Sequence, residues 1–473
     1  VDLGEKIAIV GYGSHYSGTF DGQGHTLTIN WDTGSKPWVA PFNTVEGATI
    51  KNLRTAGNIN SSTHFLSGLV CDAYGNTTIS DCNSDVDITS TYNDGGCDAA
   101  GLVQCVRENA NVTIIDCLVR GKIDATMEKG RKYMAGFVCN QYGTCTLTNC
   151  LYAGENNCSR GYTFCTNSFG GTTITNCYYL NACRVAQGTK ITAEQLKSGE
   201  VTKKLQNNRT DKCYWAQQLG EMPDFYNAAD KSKANYVYYD AAKKGWTCDD
   251  FRLTDEQPLP IGLDFTAANV TYERNFNGTQ KTTLCLPYDL SAQGFKAYTL
   301  SGGNNSAVYF AEAKDKLEAY KPYLITVDGV PQLGGENIEV QAFNDDKLTT
   351  PAGKYKFVGT VIGVDNASAT AANAYILQED GKFHKVTTEH SEAMLPAYRA
   401  YIQRNDSGAK QLSVVLDGET TGIGSTTNEA TDGKNGPVYD LQGRRVADRL
   451  DDDARHRLPA GVYIVGGRKV IVK

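Results

Sequence analysis

The chain has 473 residues, 40% of them hydrophobic and 10% aromatic, which describes a folded protein of two to four domains. Its net charge of −7 argues against a nucleic-acid partner, which needs a basic face. No apolar run approaches the roughly 18 residues of a transmembrane helix, and a chain opening on Val1 is expected to be a mature or trimmed protein.

From the N-terminus, Phe20 to Ile29 (FDGQGHTLTI) and Ile50-Lys51-Asn52-Leu53 read as early, diverged copies of a repeat. Four clearer copies follow. Gly68-Leu69-Val70, Gly101-Leu102-Val103, Gly136-Phe137-Val138 and Thr163-Phe164-Cys165 start 27 to 35 residues apart. Each leads, 11 residues on, to Ile79-Ser80-Asp81-Cys82, Leu147-Thr148-Asn149-Cys150 or Ile174-Thr175-Asn176-Cys177; Ile114-Ile115-Asp116-Cys117 lies two residues later in its copy. A fixed period of this length means stacked units, and the Thr, Ile, Val, Gly and Asn content makes the unit strand-based. The expected fold of residues 1–185 is a right-handed parallel β-helix, one coil per repeat.

In such a coil Leu69, Leu102, Phe137 and Phe164 form one inward column and Ile79, Ile114, Leu147 and Ile174 a second. Asp81, Asp116, Asn149 and Asn176 fall at a corner, where Asn and Asp tolerate a left-handed backbone. Cys82, Cys117, Cys150 and Cys177 then point inward. Twelve of the fifteen cysteines lie between Cys71 and Cys183. Neighbouring parallel strands orient paired Cβ vectors poorly for disulfides, so reduced thiols are expected. No C-x₂-C pair exists for zinc, and the six histidines show no ligand spacing, so neither a metal nor another cofactor is expected.

These residues resemble the GLUG-repeat family of secreted and surface proteins, through the FDGQGHTLTI entry and the GLV…IxNC markers over roughly residues 15 to 183. The resemblance implies architecture and an exported location rather than a particular activity. The chain departs from the pattern with Cys71 and Cys139 after the GLV-type triplet, and by losing the glycine of the fourth copy.

Residues 186–252 read as a helical cap and bridging region. Thr192-Ala193-Glu194-Gln195 fits a capping box, with Leu196, Val201 and Leu205 as the apolar side of a helix that would close the open end of the stack. From 253 to 416 short strands alternate with glycine turns, for example at Thr282–Tyr288, Tyr320–Val327, Tyr355–Gly359, Tyr375–Leu377, Lys382–Val386 and Tyr398–Ile402, as in an antiparallel β-sandwich. Residues 417–473 read as a flexible linker and a small C-terminal β unit. Val438 to Val446 (VYDLQGRRV), Leu458 to Val465 (LPAGVYIV) and the basic end resemble the C-terminal sorting tails of Bacteroidetes secretion, which implies contact with an export machinery. The insert Asp451 to Arg457 suggests a longer hairpin loop. The whole is an all-β chain.

No linear catalytic motif is present. Six residues after each repeat start sit Tyr74, Arg107, Tyr142 and Phe169, with glycines following three of them. Such a column could stack sugar rings, or its rings could simply seal the corner. Asp87, Lys122 and Glu155 share one outward position in successive coils. Carboxylates two coils apart lie roughly 9.6 Å from each other, at or just beyond the top of the inverting-glycosidase range, and cross-strand charge pairing on a solvated face is the simpler account of them. The expectation is a monomeric, secreted or surface-associated binding protein, an adhesin or glycan binder, with a polysaccharide lyase or hydrolase and a structural stalk as alternatives.

Overall fold

The computed structural model describes residues 1–92, 98–125, 133–139, 142–158, 160–166, 171–276, 278–406, 408–417, 437–440, 444–465 and 468–472. The fold is all-β, with parallel sheets up to about residue 190 and predominantly antiparallel, sandwich-like sheets beyond. Among the described residues no helix is long and apolar enough to cross a membrane.

In the N-terminal part the chain passes through the same parallel sheets once per repeat. One sheet takes Thr19–Asp21, Thr49–Lys51, Asn76–Ser80, Asn111–Ile115, Thr144–Thr148 and Thr172–Thr175 in spatial order. Its register puts Ile50, Ile79, Ile114, Leu147 and Ile174 side by side, as the repeat spacing requires. The second column, Leu69, Leu102, Phe137 and Phe164, is buried in the same core. Each fully buried member of these columns stabilises the fold by about 1.5–3 kcal/mol. The Gly of the GLV-type triplets has a steric cause: a Cβ on Gly68, Gly101 or Gly136 would collide with the carbonyl oxygen of the next repeat.

The corner reading holds residue by residue. Asn52, Asp81, Asp116, Asn149 and Asn176 all adopt φ between 51° and 53°, a conformation costing most L-residues about 1–2 kcal/mol that Asn and Asp reach more readily. Cys82, Cys117, Cys150 and Cys177 follow as buried free thiols.

The helical segment sits elsewhere than expected. The capping box forms, with Thr192 and Gln195 bonded reciprocally at the start of helix Ala193–Lys197, and helix Glu200–Gln206 follows. Their buried Leu196, Val201 and Leu205 pack on Leu118, Leu151 and Tyr178. Those three are register neighbours in adjacent strands, so the helices lie along the side of the stack and not across its end. The reason is the period-2 pleat. Val119, Tyr152 and Tyr179 turn into the core, which turns Leu118, Leu151 and Tyr178 outward as an apolar strip that needs cover. The last repeat is closed instead by Gln187, whose side chain accepts from the Phe164 and Cys165 amides at 3.1 and 2.8 Å and donates to the Cys165 carbonyl at 2.8 Å. Thr163, in place of the repeat glycine, joins this cap by bonding Gln187 main chain.

Beyond the helices, Trp215–Gln218, Tyr236–Asp240, Gly245–Thr254, Phe265–Glu273 and Gly335–Val340 share one sheet, so residue 252 falls inside a strand and the sheet begins in the bridging region. A ten-stranded sheet follows. Each sheet contains one parallel pair, Gly245–Thr254 with Phe265–Glu273 and Ala307–Glu312 with Gln411–Leu416. The C-terminal unit is a four-stranded antiparallel sheet. Its insert forms a helix, Asp452–Arg457, rather than a loop. Asp451 caps it, acids fill its first turn and Arg455, His456 and Arg457 its last, which suits the helix dipole.

Candidate functional site: a cleft on the corner column

The corner residues divide into a covered half and an open half. Arg209 grips Asp116 through two 2.7 Å bonds, and Trp215 donates its indole N–H to the same carboxylate at 2.9 Å. Asn207 donates to Asn149, and Asn176 donates to both Asn149 and the Lys204 carbonyl. The helical segment is thus bonded to the corner at Asp116, Asn149 and Asn176. Towards the N-terminus it no longer covers the corner, and Asp21, Asn52 and Asp81 line a cavity of about 470 Å³. Tyr214, Phe225 and Tyr226 of the bridging region line it as well.

Ion pairs fix the geometry of this cleft. Arg54 forks onto Asp224 at 2.9 and 2.8 Å and lies 5.4 Å from the Phe225 ring, which ties the ring-bearing segment to the strand after Asn52. Tyr214 is held by the Arg209 guanidinium, 3.6 Å from its ring centre, by the Lys212 ammonium, 4.5 Å from it, and by a 2.7 Å bond from its hydroxyl to Asp211. That bond, with burial second, pushes its hydroxyl up to about 12.

The two carboxylates differ. The Asn52 amide, 3.0 Å from Asp21, and then the Gln23 N–H at 2.9 Å hold Asp21 below the usual carboxylate range. Burial, and then the neighbouring Asp116 charge, push Asp81 above it. One cleft therefore offers aromatic rings partly covered by cations, the Arg54 and Lys212 charges, an amide, an ionised carboxylate and one that protonates more readily. That mixture suits a ligand carrying many hydroxyl groups and apolar C–H faces. Among the described residues no group of three or more His, Cys, Asp or Glu side chains is placed to hold a metal.

The residues singled out in the sequence lie outside the cleft. Tyr74 and Arg107 do come together, but the ring is occupied: His15 stacks on it at 4.9 Å, and the Arg107 guanidinium lies 5.9 Å from its centre. Arg107 in turn forks onto buried Asp72 at 2.8 and 2.9 Å, and His15 reaches Glu46 at 2.8 Å. Tyr142 is exposed, and Phe169 lies outside the described residues. Asp87, Lys122 and Glu155 are exposed on successive repeats. The Asp87 carboxylate accepts the Lys122 backbone N–H at 2.8 Å, while the Lys122 ammonium sits 3.4 Å from Asp124.

The cleft residues escaped the sequence reading for two reasons. The corner Asp and Asn had a complete account as turn formers, and nothing in the repeats indicates which corners the bridging region leaves open. The aromatic content around Tyr214 and Phe225 was the available signal. Compared with family models, curated proteins and solved structures, the chain matches none of them.

Proposed function

We propose that this is an exported, surface-associated or secreted binding protein whose ligand is a glycan, held in the cleft between the corner column and the bridging region. The observation that carries this is the joint presence of Tyr214, Phe225 and Tyr226 with Asn52, Asp21 and Asp81 around one 470 Å³ cavity. Rings take the apolar face of a sugar and planar polar groups take its hydroxyls. Export is supported by the GLUG-like repeats and the sorting-like tail. In this reading the stacked repeats are coils of a right-handed parallel β-helix, a rigid scaffold on which the corner is displayed. The test is a glycan array on the purified protein, with reducing-sugar release measured on every glycan that binds. Retention of at least one glycan without release supports a binding protein.

A second reading, hydrolysis of the bound glycan, is favoured by one observation. Asp21 and Asp81 line the same cavity and their proton affinities are displaced in opposite directions, the pattern of a base and acid pair. Reducing-sugar release that disappears in Asp81→Asn would select this reading over simple binding.

A further inference from the structure

The repeats turn a second corner, and there the residue choice inverts. At the first corner the left-handed positions are Asn and Asp. At this one they are Trp38, with φ 57°, and Phe65, with φ 64°. Bulky side chains are genuine outliers in that region, which costs about 1–2 kcal/mol per residue. Backbone bonds hold them there: the Val39 N–H donates to the Phe65 carbonyl at 3.0 Å, and the Phe65 N–H to the Asp98 carbonyl at 3.1 Å. The Asn43 amide donates to the Trp38 carbonyl at 2.8 Å. Because Val39 pairs with Leu66, the two outliers are neighbours in successive repeats.

Their rings stack, 5.3 Å apart and 20° from parallel. His64 stands edge-on to Phe65 at 4.1 Å and meets Tyr92 of the next repeat at 4.7 Å. The core at this end of the repeats is filled by residues such as Ile29, Trp31, Ile59 and Leu66, with Tyr92 packed against it. Trp38 is not part of it and keeps 41% of its surface exposed. Sealing the corner therefore does not explain the tryptophan. His64 adds a half-buried imidazole whose buried Nδ1 has no hydrogen-bond partner among the described residues.

We infer that Trp38, stacked on Phe65 and backed by His64, forms a second sugar-binding surface, on which a polysaccharide lays the apolar face of a pyranose ring against Trp38. His64, edge-on to Phe65, supports the ring pair from below. Tyr320 and Tyr398 adopt the same conformation but are buried, whereas Trp38 carries its strain on an exposed ring, where such strain is commonly kept for function. The inference shares the glycan reading of the cleft but stands on separate residues. A chain long enough to reach both sites would gain avidity from the pair.

The test titrates the whole protein with soluble polysaccharides, namely xylan, mixed-linkage β-glucan, mannan, pectin and mucin-type glycans. Binding is followed by tryptophan emission and by calorimetry. Of the four tryptophans only Trp38 is exposed, so a ligand on this surface changes emission and Trp38→Phe removes the change. Trp38→Ala should raise Kd about tenfold or more, as expected for loss of a stacking ring, whereas Trp38→Phe should keep most of the affinity. Tyr214→Ala, in the cleft, should leave the emission change intact, so failure of one site is not mistaken for failure of the other. If Trp38→Ala lowers the melting temperature, Trp38→Leu decides, since it fills the space without a ring. No emission change with any of the five polysaccharides would overturn the inference, and so would undiminished affinity in Trp38→Leu.

Discussion

Arg209 and Asp116 form a two-pronged ion pair, both bonds 2.7 Å, between the segment after the second helix and a corner residue 93 positions earlier. The Asp116 side chain is 3% exposed and that of Arg209 20%, so solvent screens the pair little. It joins the parallel stack to the region that completes the cleft. Removing one partner leaves a buried charge, a loss of about 3–5 kcal/mol. Arg209→Ala should therefore lower stability by that order in urea unfolding, and should speed hydrogen exchange in helix Glu200–Gln206 more than in strand Asn111–Ile115. A smaller loss in the double variant Arg209→Ala/Asp116→Asn would show that the stranded carboxylate causes the damage.

The corner itself can be dissected at Asn149, which has φ 53° and accepts from Asn176 at 2.8 Å and Asn207 at 3.3 Å. Asn149→Ala should lose about 1–2 kcal/mol to backbone strain and about 1 kcal/mol more for each lost hydrogen bond. Asn149→Gly keeps the backbone at ease and loses only the bonds, so it should be the milder variant. Equal losses in thermal unfolding would mean that the left-handed corner carries no strain.

How far the sequence reached follows from which forces act locally. The strand register, the inward columns and the left-handed corners were legible because each is imposed within one repeat and then copied, as the alignment of Ile79 with Ile114 attests. The capping box at Thr192 was legible for the same local reason. The placement of the helices was not, because it depends on the outward turn of Leu118, Leu151 and Tyr178, residues far from the helices in sequence. The cleft needs Arg54 to meet Asp224 across 170 residues, and no local pattern encodes such a pairing. Tyr74 illustrates the converse limit. Its recurrence looked like a platform, but His15, from a segment with no repeat signal, already stacks on it.

Asp81 gives stability a pH dependence of known sign. Burial and the Asp116 charge raise its proton affinity in the folded state above the ordinary value of 3.8. The folded protein therefore holds this proton more tightly than the unfolded chain does. The associated stability is present below pH 3.8 and is lost as pH rises through the raised value. Asp81→Asn keeps a residue suited to the left-handed corner and removes the charge. Its melting temperature should exceed that of the unaltered protein at pH 7, with the difference shrinking as pH falls. A difference that is constant with pH would contradict this assignment.

The fully buried thiols should be inert in the folded protein. Cys117 and Cys150 are fully buried, which pushes both well above the usual thiol range. Cys183 and Cys213 are less enclosed, and burial pushes each up to about 11. Labelling with iodoacetamide at pH 8, read by peptide mass, should leave Cys117 and Cys150 unmodified until denaturant is added, whereas Cys177, held below the usual thiol range by its hydrogen bond with Cys150, should be the first of the column to react. Unfolding without reductant should then expose Cys82, Cys117, Cys150 and Cys177 as free thiols. Modification of Cys117 or Cys150 in the native state would show that the corner core opens readily.

The central claim is that a glycan occupies the cleft beside Tyr214. The direct measurement is calorimetric titration of the best glycan from the array against the unaltered protein, Tyr214→Ala and Asn52→Ala, with melting temperatures recorded for each. The account requires Kd to rise about tenfold or more in Tyr214→Ala, the scale of one lost ring contact, with a smaller rise in Asn52→Ala and melting temperatures sufficient to keep both variants folded. If no glycan on the array binds, or if one binds with the same affinity to all three proteins, the cleft is not a glycan site and the account is wrong.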